Sequence, residues 1–207
     1  MTALARSAPG FPLKRAILAV LAALSLASCG INSVPTADEQ VKAAWGNLQA
    51  DYQRRADLIP NLVATVKGYA KQESTVLITV TQARADAGRV KLNAADLDDP
   101  AKVQAFNEAQ SRLTQAIIPL QRLQEAYPDL KSNANFLALQ DQLEGTENRI
   151  NASRRDYNEA VRSYNTRIRT FPDAIGAKVF YGAKPKVPFE AAAAAQQAPT
   201  VNFGNAS

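Results

Sequence analysis

The stretch Val41–Tyr69, VKAAWGNLQADYQRRADLIPNLVATVKGY, decides the fold. Steps of alternately four and three residues pick out Val41, Trp45, Leu48, Tyr52, Arg55, Ile59, Leu62, Val66 and Tyr69, the a and d positions of a coiled-coil seam. Only Arg55 breaks its apolar character. Pro60 lies inside the seam, and a proline in a helix interior deletes one backbone hydrogen bond at a cost of about 3 kcal/mol. The phase survives it. Burying Ile59, Leu62 and Val66 at about 1.5–3 kcal/mol each offsets that cost, so the pattern predicts one kinked, continuous helix rather than two joined at Pro60.

Working outward, Thr36-Ala37-Asp38-Glu39 has the form of a capping box and predicts a helix start near Ala37. Downstream the seam weakens but continues through Glu73, Val76, Val80 and Ala83 to Ala87, with Gly88 as its C-cap. Such a helix would be roughly 75–80 Å long and could not stand alone. Asp98-Asp99-Pro100 opens a second helix, with the seam Val103, Phe106, Gln110, Leu113, Ile117, Leu120, Gln124 and Tyr127. Pro119 should kink it, and Tyr127-Pro128 should end it. Ser132 or Asn133 then caps a third helix running to about Thr170. Its heptad is the clearest: Phe136, Leu143, Ile150, Tyr157, Tyr164 and Phe171 fall seven apart. The companion row holds Gln140, Glu147, Arg154, Val161 and Ile168, so this seam is polar in the middle and apolar at both ends.

Three seams of one period require one another. The expected fold is all-α, an elongated antiparallel up-and-down bundle of three long helices, or four if the first breaks at Pro60. Residues Pro172 to Tyr181, within FPDAIGAKVFY, are mostly apolar and expected to close one end of the bundle, with a peripheral membrane contact as the lesser reading. From Gly182 onward the prolines and the alanine run suggest a disordered tail. The chain thus divides into a signal segment (1–28), a tether (29–36), the bundle (37–181) and a tail (182–207).

The N-terminal segment fixes an address. Arg6, Lys14 and Arg15, with no acidic residue, precede the apolar run Ala16 to Ala27, the layout of a signal peptide and too short for a membrane span of about 20 residues. The run ends in Leu26-Ala27-Ser28-Cys29, which resembles a bacterial lipobox. That resemblance implies that Cys29 takes a diacylglycerol on its sulfur and becomes the acylated, palmitate-bearing N-terminus. More than one acyl chain is needed for stable attachment. Gly30 follows the cysteine, and by the same resemblance this favours the outer membrane where two membranes are present, with the domain facing the periplasm. The chain has a single cysteine, so no intrachain disulfide can form. Without the three basic residues of 1–28 it carries 21 Lys+Arg against 19 Asp+Glu, interleaved along the helices, which argues against nucleic acid as partner.

Two blocks resemble a known family. Arg54-Arg55-Ala56-Asp57-Leu58-Ile59-Pro60-Asn61-Leu62-Val63 with Val66-Lys67-Gly68-Tyr69-Ala70, and Tyr127-Pro128-Asp129-Leu130-Lys131 with Leu143-Glu144-Gly145-Thr146-Glu147-Asn148-Arg149-Ile150 and Tyr157-Asn158-Glu159-Ala160-Val161, are similar to the LemA family of bacterial envelope proteins. The resemblance covers about Val41 to Phe189. It implies a membrane-associated helical bundle outside the cytoplasm, brings no assigned chemistry, and makes an envelope protein partner plausible, since LemA proteins are sometimes found alongside membrane proteins with a TPM domain. Many relatives use an N-terminal transmembrane helix where this chain has the lipobox.

The chain has no histidine, which excludes a Ser-His-Asp triad, a His-liganded zinc and the Glu-x-x-His pairs of di-iron bundles. No phosphate-binding glycine loop occurs. No cofactor, resident metal or catalytic residue is expected. The candidate site is a polar cluster: Arg55 on the first seam, pairing across the core with Glu147 or Glu144, and Arg154 nearby. The competing arrangement turns Arg55 outward to Asp51. Glu144 and Glu147, three apart, could alternatively hold a cation through oxygen ligands. Asp57 and Asn61, flanking Pro60, are assigned to the backbone groups that the proline frees. The leading expectation is a lipid-anchored, non-enzymatic scaffold or adaptor for an envelope protein; the alternative is a protein that binds a small ligand or cation in the polar mid-bundle.

Overall fold

A computed structural model describes residues 32–190. The signal segment, Cys29 and residues 191–207 of the expected tail lie outside them. Four long helices, α1 (Ser33–Tyr69), α2 (Ser74–Arg89), α3 (Pro100–Ala126) and α5 (Ala134–Arg167), make up the body. The short α4 (Pro128–Lys131) and α6 (Asp173–Val179) and a 3-10 turn at Ala94–Asp96 complete it, and no strand occurs among the described residues. Cross-helix pairs give the directions. Asp51 with Ser153, Arg55 with Glu147 and Tyr69 with Asn133 set α1 antiparallel to α5.

The seam of α1 is buried at every position named above except Tyr69, whose hydroxyl accepts a hydrogen bond from Asn133 at its rim. The helix runs through Pro60 unbroken, and the break comes instead at Ala70–Glu73. The expected count of three long helices is therefore corrected to four. The cause is burial: as a straight continuation Leu77, Val80 and Ala87 would project past the end of the bundle, whereas after the turn they pack in one cluster with Ile59, Leu62 and Val66.

The fold-back also deals with the proline. Pro60 cannot donate to the carbonyl of Ala56 four residues earlier. That oxygen accepts from Nε of Arg84 on α2 at 2.7 Å. Asp57 and Asn61, assigned this role from sequence, do not perform it: Asp57 accepts from Gln53, and the Asn61 carbonyl accepts from Thr65. Arg84→Met should therefore lower stability by about 1–2 kcal/mol in a thermal melt. Added to Pro60→Ala, which restores a donor to the Ala56 carbonyl, the same change should cost clearly less.

Two caps form where the sequence places them. Asp99 accepts from the amides of Ala101 and Lys102, and Asn133 accepts from that of Phe136. The expected box at Thr36 does not form. The helix begins a turn earlier, with Val34 buried and the Thr36 hydroxyl donating to the Asn32 carbonyl, so the ordered bundle takes in part of the expected tether.

The larger correction lies at the other end. Residues 183–190, expected in the disordered tail, run extended along α5 as a strap. Asn165 donates to the Lys186 carbonyl and accepts from its amide, each at 2.8 Å. Asn158 does the same for Phe189, at 2.9 and 2.8 Å. The spacing is geometric: seven residues of helix and three of extended chain both span about 10 Å. Between these clamps Val187 accepts from the Tyr157 hydroxyl and donates to the Leu97 carbonyl. Phe189 is buried against Trp45, Phe106 and Tyr157, with ring centroids 5.9, 6.2 and 5.1 Å away. The strap covers the half of α1 that the short α2 does not reach.

Candidate functional site

The body has two apolar clusters. One, toward the N-terminus of α1, contains Trp45, Leu48, Tyr52, Phe106, Ile150, Tyr157 and Phe189; the other contains Ile59, Leu62, Leu113, Ile117 and Leu143. Arg55 lies on α1 between Tyr52 and Ile59, Gln110 on α3 between Phe106 and Leu113, and Glu147 on α5 between Leu143 and Ile150. These three residues form a polar layer between the clusters.

Arg55 is 1% exposed and points inward. One terminal nitrogen donates to Glu147 Oε1 at 2.9 Å and to the Thr114 hydroxyl at 2.8 Å. The other donates to Gln110 Oε1 at 2.6 Å. Its plane approaches the Tyr52 ring at 5.3 Å. One cation thus ties α1 to both α3 and α5. Its Nε alone is buried without a partner. The outward arrangement is not adopted: Asp51 accepts instead from Ser153 and lies near Arg149.

The other residues of the expected cluster part company. Glu144 is exposed on α5 and does not reach Arg55. Glu147 is spent on Arg55, so the two carboxylates do not converge on a cation. Arg154 lies one step along the bundle, donating to Asn107 and to the Glu190 carbonyl, with its guanidinium over the Phe189 ring. It therefore ties α3 and α5 to the strap beside the hub. Gln110 and Thr114 were not foreseen as partners of Arg55. The only signal was Gln110 itself, a polar residue on the α3 seam at the level where α1 carries Arg55. A cleft of about 250 Å³ opens beside the hub, lined by Arg55, Asn107, Gln110, Thr114, Glu147 and Arg154.

The family model of the LemA family matches residues 44–203. The chain belongs to the LemA family. The match takes in the α1 seam from Trp45 onward, the Arg55 hub and the strap. No curated protein matches this LemA chain. No helix among its described residues is long and apolar enough to cross a membrane.

Two buried tyrosines of the cluster around Trp45 give this LemA domain a pH dependence. Burial pushes the phenols of Tyr52 and Tyr157 above the ordinary tyrosine range. In the unfolded chain a phenol loses its proton near about pH 10. The folded chain still holds it, so above that pH the unfolded state binds fewer protons and stability falls. The urea midpoint should hold up to about pH 10 and then decline, and Tyr157→Phe should flatten the decline. Equal slopes for the two chains would contradict this.

Proposed function

We propose that this LemA protein is a lipid-anchored, non-enzymatic scaffold of the cell envelope, held in the membrane through acylated Cys29 and presenting its long helices to a protein partner. In this reading the protein faces the periplasm, from the outer membrane where two membranes are present. The observation that carries the proposal is that the mid-bundle arginines are engaged within the chain: Arg55 by Gln110, Thr114 and Glu147, and Arg154 by the strap. The polar groups inside serve register and stiffness, as buried polar seam residues do, which leaves the surface to act. At 1.5 Å per residue α1 gives a rod of about 55 Å, long enough to hold a partner well away from the bilayer.

The test is in-cell crosslinking of the full-length protein with mass spectrometry of what copurifies, beside a Cys29→Ala chain. A recurrent envelope protein that disappears with Cys29 supports an anchored adaptor. Recovery of the protein alone contradicts it.

One observation favours a second reading. The cleft lined by Arg55 and Arg154 would suit a small ligand rich in acceptors rather than a cation, given the two arginines. Native mass spectrometry of the purified protein would then show a retained small molecule that Arg55→Lys releases.

A further inference from the structure

The segment expected to close one end of the bundle does so with only part of its apolar surface. Gly176 and Ala177 of α6 are buried, and Ala177 packs in the cluster containing Val34, Ala37 and Tyr164. Phe171, Ile175, Val179 and Phe180 face outward, at 82, 57, 68 and 66% exposure. Ile175 and Val179 lie one turn apart on α6, on the side away from the buried Gly176 and Ala177, while Phe171 in the turn before the helix and Phe180 at its C-cap are exposed beside them in sequence, so the small residues face the bundle and the large ones form the outer stripe. Four large apolar groups, two of them phenylalanines, left together in water mark an interaction surface.

Two observations identify what covers it. The first is position. Lys186 of the strap lies 3.4 Å from Asp38 on the first turns of α1, and Val34 shares a cleft with Tyr181, Gly182 and Lys184. The stripe therefore sits at the end of the bundle where α1 begins. Cys29 is four residues before Ser33, a reach of at most about 14 Å. The second is charge. Between 167 and 186 the chain carries Arg167, Arg169, Lys178, Lys184 and Lys186 against the single acid Asp173. Lys184 and Lys186 are engaged by Asp98 and Asp38, while Arg169, just before the stripe, and Lys178, between Ile175 and Val179, are exposed. Large apolar side chains bordered by exposed cations match the boundary between acyl chains and anionic headgroups.

We propose that the stripe Phe171, Ile175, Val179 and Phe180 is a second membrane contact, inserted into the interfacial layer of an anionic lipid surface beside the anchor. It seats the end of the rod on the bilayer, so that two points rather than one set its direction. The inference rests on the reading of Cys29 as the anchor.

The test uses the full-length protein, purified from membranes and reconstituted in phosphatidylcholine vesicles with and without phosphatidylglycerol. With the Cys29 sulfur acylated, Val179→Cys, Phe180→Cys and, at the far end, Lys71→Cys each introduce the single free thiol, which takes a spin label. The expected result is loss of access to a water-soluble nickel complex and gain of access to oxygen at 179 and 180 in the anionic vesicles, with 71 fully water-accessible. Labels at 179 and 180 as wet as that at 71 would overturn the proposal. So would protection seen in native membranes but absent from pure lipid, which would assign the stripe to a protein or to another segment of this chain. The mass of the N-terminal peptide from the same preparation separates the two readings: a lipidated peptide with wet labels rejects the contact alone, and an unlipidated peptide with immersed labels rejects the anchor alone.

Discussion

Replacing Phe189 by alanine is expected to destabilise the domain by about 3–5 kcal/mol, the range for emptying a buried aromatic site, and to lower its melting temperature by roughly 10 °C. The ring is 4% exposed and stacks on Trp45 with an interplanar angle of 22°. Its removal leaves Trp45, Phe106 and Tyr157 facing a cavity, and the strap loses its one deeply buried side chain. Trp45 is the only tryptophan, so its fluorescence reports the change directly: an emission shift to the red in the folded variant accompanies the loss of stability. A chain ended after Gly182 should be worse, since it also loses the clamps on Asn158 and Asn165. A variant with unchanged midpoint and emission would show that the strap does not cover the α1 seam.

Arg55→Met is expected to cost about 3 kcal/mol. Breaking a buried ion pair typically costs about 3–5 kcal/mol, and the lower end applies because the Glu147 side chain is 32% exposed and can turn to water. Most of the penalty falls on Gln110, 8% exposed, whose side-chain oxygen is left facing an apolar methionine. Arg55→Met combined with Gln110→Leu should therefore be more stable than Arg55→Met alone, a coupling that a double-mutant cycle measures. Additive losses would mean that the two side chains do not share the bond at 2.6 Å.

The periodic parts of this chain were readable from sequence because burial at a seam depends on phase alone. The α1 and α5 seams run as the spacing indicated, up to Tyr69 at one end and Phe171 at the other, both exposed. Arg55 was placed as a polar residue on an apolar seam, and Glu147 as a partner at matching height. The heptad set the level of the guanidinium but not its direction, so the choice between Glu147 and Asp51 needed the packed helices. What escaped the reading was set by contacts distant in sequence. The break at Ala70–Glu73 has no proline or positive-φ glycine to announce it, and it exists because Leu77 and Val80 gain a partner by folding back. The strap has no periodicity, and its affinity for α5 is written in Asn158 and Asn165, which read as ordinary polar positions on a helix. Its proline-rich composition suggested disorder, whereas backbone groups clamped by side-chain amides require neither a strand partner nor a helix.

The proposed acylation of Cys29 and the proposed membrane contact of the exposed stripe join the physical account to the proposed role. In the proposed role, acylated Cys29 is what holds this domain at a membrane. The most direct test is the intact mass, with sequencing of the N-terminal peptide, of the protein extracted from the membranes of its own cells. The account predicts a chain beginning at Cys29 with acyl groups on it. A chain beginning elsewhere with a free thiol at Cys29 would contradict it.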